Sequence, residues 1–396
     1  MEIVFLCSSF PRYENDGASV FLLKLAKALV QRGHRIHVIA PHDLLVDPDW
    51  KPEGIVLHRF RYTIGNIRLA YGAGIIPNLR SNLFLWLLVP GFLIAMAWKT
   101  WQVTRQHRFD ILQAHWIIPA GLIGAVLHPF HRIPTIVTAH GSDIYSLRGQ
   151  PGRFFRGWTL AHCDAWTANT VATRDAATDR GVPRGEIIPM GVDNGQFATG
   201  NRKRGRGTLD NEVFLILFVG RLIDWKGVDV LLTAISIIDA NHRVQLWIAG
   251  DGPERAALEQ AADSLCIKDR VRFLGQIGHD KLPDLYAAAD VFIAPSRKLP
   301  GIGQEGQGTV ILEAMAAGCC VVASATGGIP DLIEDGRTGV LIHADDPTTL
   351  ARTIAGLLND PSARQRLTRA AREEVRRKYD WPVIARAFEA LYSRNA

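Results

Sequence analysis

Two glutamates eight residues apart, Glu305 and Glu313, bracket the run Gly306-Gln307-Gly308 and the start of an apolar segment, Thr309 to Ala317, that stops at Gly318. A helix beginning there turns its unpaired backbone N–H groups and the positive end of its dipole into the glycine loop, which a ligand can approach with no Cβ in the way. This is an anion site suited to phosphate, with Gly306, Gln307, Gly308, Thr309 and Val310 as donor-binding positions. Carboxylates aimed at phosphate would repel it, so the two acids are expected to accept hydrogen bonds from hydroxyls further along the ligand. Phosphates joined to hydroxyls indicate a nucleotide sugar. Taken alone, either acid reads equally well as an ordinary loop or surface-helix residue.

The E-x7-E spacing, with EAMAAG and then GGIPDLIEDGRTG, resembles the C-terminal signature of the retaining GT-B glycosyltransferases of family four (glycosyl transferases group 1), and the resemblance extends over nearly the whole chain. It implies an α/β fold of two Rossmann-like doubly wound domains facing across a cleft, with donor chiefly on the second and acceptor chiefly on the first. In GRLIDWKG, Arg221 and Lys226 fall on the positions that grip the donor diphosphate and the charge developing on the leaving group. A planar guanidinium fork and a point-charge ammonium can neutralise a diphosphate from two sides. TAHGSDIY resembles the segment whose histidine, here His140, contacts the transferring sugar, and His115 in LQAHW resembles a position lining the cleft. The family's glycine pair near the donor diphosphate is represented by Asp16-Gly17-Ala18, which keeps Gly17. The resemblance thus implies a catalytic set of His140, Glu305, Arg221 and Lys226, with Glu305 on sugar hydroxyls and Glu313 on the ribose. No nucleophile is assigned; the resemblance implies retention by same-face attack assisted by the leaving phosphate.

These groups need a scaffold that presents them from strand ends. Glu2 to Cys7 reads as a buried strand, Ser19 to Gln31 as an amphipathic helix with Leu22, Leu25, Ala26 and Leu29 on one face, and Arg35 to Ala40 as the next strand. The intervening loop SSFPRYENDGAS is longer than such connections usually are, and a long loop beyond the carboxyl end of a parallel strand is a candidate binding element. Strands at Asp110 to His115 and Thr135 to Ala139 end in His115 and His140 on one rim. A second alternation starts at Val213 to Val219 and continues through Val244 to Ala249 and Val291 to Ala294. The expected boundaries are 1–198 for the first domain, 199–210 for a solvated basic linker, 211–378 for the second domain, and 379–396 for a last helix that the family returns to the first domain.

At 396 residues, 47% hydrophobic and 21% charged, the chain fits two globular domains with sizeable cores. Five cysteines without a C-x2-C pair argue against a disulfide framework and against zinc, and suit a cytoplasmic setting. The sequence after Met1 lacks the basic and apolar regions of a secretory signal. Asp47-Pro48-Asp49 mimics an acidic metal motif without supporting ligands, so neither metal nor cofactor is expected. The net charge of +6 permits anionic partners, but the basic run TGNRKRGRGTLDN has no interleaved aromatics, which argues against nucleic acid.

The apolar stretch Ser81 to Trp98 is interrupted by Pro90-Gly91 and reads either as a buried helix or as a helical hairpin at a membrane surface, too short to span a bilayer. Candidate acceptor or membrane contacts are Tyr71, Trp86, Trp98 and His115. Together these features suggest a UDP- or GDP-sugar donor and a sugar or lipid-linked acceptor in glycolipid, lipopolysaccharide or other polysaccharide synthesis, with peripheral contact at the inner face of the cytoplasmic membrane. The loop SRKLPGIGQEGQG resembles that of phosphatidylinositol mannosyltransferases in the family, which implies mannose from GDP-mannose. Alternatives are a small soluble acceptor, a sugar-nucleotide epimerase or phosphorylase on the same fold, and a non-catalytic binding protein.

Overall fold

A computed structural model describes the chain apart from residues 64–67, 73, 146–148, 179–181, 240–241 and 300–302. Parts of the loop 296–308 and of the stretch after Tyr71 therefore lie outside the described residues. The chain forms two compact units, residues 1–190 with 381–396, and residues 191–380.

The first unit is built on seven parallel strands, β1 (Glu2–Cys7), β2 (Arg35–Pro41), β3 (Ile55–Phe60), β4 (Ile111–His115), β5 (Thr135–Ala139), β6 (Ala165–Ala168) and β7 (Glu186–Ile187), in the order β3-β2-β1-β4-β5-β6-β7. The second has six, β8 (Phe214–Val219), β9 (Val244–Ala249), β10 (Val271–Gly275), β11 (Val291–Ala294), β12 (Cys320–Ser324) and β13 (Val340–Ile342), in the order β10-β9-β8-β11-β12-β13. Both orders reverse beside their first strand, between β1 and β4 and between β8 and β11, and such a switch point opens a crevice at the strands' carboxyl ends. Helices cover both faces, so the strands are near-continuous apolar runs. In β1, Ile3, Phe5 and Cys7 pack with Leu22, Leu25 and Leu29, while Val4 and Leu6 join Phe92, Met96 and Val103 on the other face. In β8, Leu215 and Leu217 pack against Ile311 and Met315, whereas Ile216 and Phe218 pack against Leu231 and Ile235. All five cysteines are free thiols.

Three segments depart from the sequence reading. Residues 199–210 are not a solvated linker: Arg202–Arg206 is a short helix against the helix Leu282–Ala288. A Cβ on Gly205 would fall 2.0 Å from the carbonyl of Asp284, so the two backbones touch. Arg206 is buried and donates to the carbonyls of Ala288, Asp210 and Val213 and to Asp290 at 2.7 Å. The basic run is therefore partly interior, because guanidinium groups satisfy carbonyls that would otherwise be orphaned.

The stretch after Ser81 is neither a core helix nor a hairpin. A 3-10 segment, Leu83–Leu88, continues into the helix Val89–Gln106, and Pro90 causes no break because it stands in the helix's first turn, where no intrahelical N–H is needed. The continuous helical run Leu83–Gln106 has 24 residues and is long and apolar enough to cross a membrane by length and composition. Only Phe92, Met96, Thr100 and Val103 of the α-helix are buried, while Phe84, Leu87, Ile94 and Trp98 are between 63 and 81% exposed.

Tyr71 is not a surface contact. Its hydroxyl lies 3.1 Å from the carbonyls of Phe10 and Pro41 and accepts from Arg59 at 3.0 Å, and burial pushes its pKa up to about 12. It fastens the loop after β1 to the ends of β2 and β3.

The final helix, Trp381–Asn395, belongs to the first unit, where Ile384, Phe388 and Leu391 pack against the face formed by Leu22, Leu25 and Leu29. Its Tyr392 hydroxyl donates to Gln113 of β4, and Glu389 accepts from Arg32 and lies 3.1 Å from His34.

Candidate active site

In the second unit, three loops meet at the carboxyl ends of β8, β11 and β12. Gly227 takes a left-handed φ of 67°, and a Cβ there would fall 2.1 Å from the carbonyl of Pro295, so the loop after β8 lies directly on the loop after β11. That contact brings Lys226 Nζ to 2.5 Å from Glu305 Oε2, with Ser296 Oγ 3.4 Å from the same oxygen and the ammonium 4.7 Å above the Trp225 ring. The turn after β12 fixes Glu305 from behind, since Gly328 N donates to its carbonyl at 3.2 Å. Arg221, on the same loop as Lys226, is exposed and has no ion-pair partner among the described residues.

The helix Thr309–Ala317 begins at Gly308, whose φ of 81° is the left-handed conformation that glycine tolerates best, and no side chain caps it. The amides of Thr309 and Val310 at its start therefore meet no capping hydroxyl. Val310 is half-buried in the first turn. Glu313, one turn on, accepts from the Tyr286 hydroxyl at 2.9 Å, with His279 Nε2 at 3.7 Å from its other oxygen. Burial raises the Tyr286 pKa, so this hydroxyl stays a donor. Lys226 and Glu305 thus lie together beside the helix start; the spacing links Glu305 to that helix, and Lys226 is set beside them only by the resemblance. Tyr286 and Ser296 join this group without any motif to announce them.

In the first unit, His115 and His140 end β4 and β5, their rings stacked at 5.4 Å, with His115 Nδ1 3.2 Å from His140 Nε2. Phe21 and Trp116 flank His140 at 4.9 and 5.1 Å. Burial pushes His140 down to about 3 and, together with His140, holds His115 well below the ordinary imidazole range, so both rings are neutral. The outer nitrogens, His115 Nε2 and His140 Nδ1, are buried without a hydrogen-bond partner among the described residues. His115 is fully enclosed, which excludes it as a membrane contact.

Sequence reasoning missed Asp143, although it lies three residues after His140 in TAHGSD. Its carboxylate accepts from Ile117 N at 2.7 Å and His140 N at 3.2 Å, holding the loops after β4 and β5 together. Burial raises its pKa to about 6 against the pull of those N–H groups. Arg12 was missed as well: it donates to Asp16 at 2.7 and 3.0 Å and to Asp43 at 3.2 Å, pinning the long loop after β1. Gly17 stands in that loop with no atom within 4 Å of a Cβ built on it.

Residues 15–196 match the family described as Glycosyltransferase Family 4, and residues 201–374 match Glycosyl transferases group 1. The D-inositol 3-phosphate glycosyltransferase of Corynebacterium diphtheriae is 30% identical over 78% of this chain and 76% of its own length. A glycosyltransferase of Methanocaldococcus jannaschii is 27% identical over 99% of this chain and 98% of its own. Among solved structures, Anabaena HepE in complex with UDP superposes with a TM-score of 0.79 at 23% identity, covering 100% of both chains, which shows the shared GT-B fold. Two Rossmann-like units, each with groups gathered at its strands' carboxyl ends, define a GT-B protein. The chain belongs to the group 1 glycosyltransferases of family four and is a hexosyltransferase.

Proposed function

We propose that the protein transfers a hexose from a nucleotide diphosphate sugar to an acceptor hydroxyl with retention of anomeric configuration. The Lys226–Glu305 pair beside the uncapped start of the helix Thr309–Ala317 carries this reading. It combines a cation, a carboxylate and the amides of a helix start within one crevice at a switch point. As the glycosidic bond breaks, charge grows on the β-phosphate of the donor, and Lys226, Arg221 and the amides of Gly306 to Val310 stabilise it. Donors that act more strongly on the transition state than on bound substrate are what accelerates such a step. Glu305, one oxygen held by Lys226, accepts from sugar hydroxyls through the other, and Glu313 takes the ribose hydroxyls. His140, a neutral imidazole, contacts the transferring sugar, with Asp143 as its positioning residue. Gly17 leaves room for the donor diphosphate. No step requires a metal ion.

The donor is a UDP- or GDP-sugar; HepE is described in complex with UDP, and the mannosyltransferase-like loop favours GDP-mannose. The acceptor is a lipid-linked sugar at the cytoplasmic face of a membrane, in glycolipid or cell-surface polysaccharide synthesis. The exposed apolar side of Leu83–Gln106, with Trp86 and Trp98 among its outward residues, Lys99 and Arg105 along it and Arg80 just before it, supports this reading. A soluble inositol phosphate acceptor is the second reading, favoured by the name of the Corynebacterium relative.

Thermal shift across UDP-, GDP- and ADP-sugars, followed by turnover of the stabilising donor with lipid extract or inositol phosphate, tests the proposal. One nucleotide class is expected to raise the melting temperature, because a ligand that binds only the folded state stabilises it. No shift with any nucleotide sugar would overturn the site.

A further inference from the structure

Apart from both constellations, three imidazoles converge on the face of the first sheet that packs against the helix Val89–Gln106. His37 of β2 lies on the same face as Ile39, and His58 of β3 on the same face as Phe60, by the two-residue period of strands. His107, the residue that ends the helix, completes the group. His37 Nδ1 is 2.9 Å from His58 Nε2, the His107 ring lies 4.9 and 5.9 Å from theirs, and one ligand nitrogen from each comes within 4.8 Å of the others.

The other nitrogen of His37, Nε2, is 3.2 Å from Glu2 Oε1. A carboxylate accepting from Nε2–H leaves the Nδ1 lone pair turned toward His58, the arrangement that orients metal-bound histidines. Three neutral imidazoles suit zinc and its first-row neighbours, whereas magnesium and calcium call for oxygen ligands. We propose that His37, His58 and His107 hold a divalent transition ion, Zn(II) by preference, with Glu2 orienting His37 and a fourth position open to water.

Zinc–nitrogen bonds of about 2.0–2.1 Å in a tetrahedron place the nitrogens about 3.3 Å apart. His37 and His58 are near that spacing, and the exposed His107 closes the rest by rotating. His58 must carry its proton on Nδ1 to offer Nε2. Arg35 and Lys99 oppose the ion and Glu2 favours it; Lys99 is drawn aside by Gln102 at 3.2 Å. The ion would staple β2 and β3 to the end of the helix that carries the exposed apolar face. This inference does not rest on the proposed transfer reaction.

The test uses the full chain without a histidine tag, stripped with chelator, and zinc chloride as the probe in calorimetric titration and thermal unfolding. One equivalent bound at micromolar concentration or tighter is expected, with a rise in melting temperature of about 5 °C at a hundredfold excess over the dissociation constant. His107→Asn, at an exposed position, should keep the zinc-free melting temperature and lose both the equivalent and the rise. His140→Asn should keep the equivalent. Absence of zinc binding at 100-fold excess over protein, which leaves only a neutral His37–His58 hydrogen bond, would overturn the proposal. So would loss of the equivalent in His140→Asn but not in His107→Asn, because the ion would then belong to the His115–His140 pair.

Discussion

Lys226 and Glu305 are each about one-eighth exposed, so their ion pair is neither a solvated surface contact nor fully desolvated. Removing one partner strands the other. Lys226→Ala is expected to cost about 2–3 kcal/mol, below the range for fully buried pairs, and Glu305→Gln in the Lys226→Ala background should restore part of it. Both variants should lose at least about 100-fold in turnover. Arg221→Ala should leave stability within about 0.5 kcal/mol while lowering turnover, since the side chain is exposed. Urea unfolding alongside initial rates separates these effects. If all three variants turned over normally, the transfer site would lie elsewhere.

His140 makes a prediction of the opposite kind. Its folded pKa of about 3 lies below the ordinary 6.5, so the unfolded chain binds the extra proton and the histidine's contribution is lost as pH falls from 6.5 toward 3. Asp143, raised from 3.8 to about 6, acts in the other direction, losing its contribution as pH rises through that window. His140→Phe should therefore flatten the acid-side decline of stability by about 3 kcal/mol between pH 6.5 and 4. The same variant should fall sharply in activity, and the wild-type rate should show no imidazole ionisation between pH 5 and 8. Denaturation at stepped pH and a pH–rate profile check both.

At the scale of elements, the helical run Leu83–Gln106 carries two separable faces. Phe92, Met96 and Val103 pack on the sheet, and Phe84 and Leu87 are turned outward. Phe84→Glu with Leu87→Glu should change stability by less than about 1 kcal/mol, because the side chains lose no internal contact. If this face meets a membrane, the double variant should abolish flotation with anionic liposomes that carry the wild type at low salt. Failure of the wild type itself to float at low salt would remove the membrane reading and favour a soluble acceptor.

For the molecule as a whole, the second unit is one continuous stretch, whereas the first is completed by residues 381–396. Ile384, Phe388, Leu391 and Tyr392 of the last helix are essentially fully buried. Each apolar side chain is worth about 1.5–3 kcal/mol, so losing the helix removes an amount comparable to the whole stability of a domain. Truncation after Asp380 should leave residues 1–190 open to limited proteolysis while the second unit keeps its nucleotide-dependent protection. Uniform resistance of the truncated chain would contradict the division of its cores.

The sequence alone determined what is local or periodic. Apolar runs of strand length alternating with helices gave two doubly wound sheets, and Gly308 next to an apolar segment gave the start of a helix, because backbone sterics and burial act within a few residues. The E-x7-E spacing likewise put Glu305 and Glu313 about one helix start apart. What joins distant segments was decided only by tertiary packing. That Lys226 meets Glu305 follows from the backbone of Gly227 resting on Pro295; that Tyr71 and Arg206 are interior follows from the carbonyls they satisfy. Asp143 as the tie between two strand ends, and His37, His58 and His107 as one cluster, have no signature either, since their neighbours come from separate strands and helices whose contact depends on the fold rather than on any spacing along the chain.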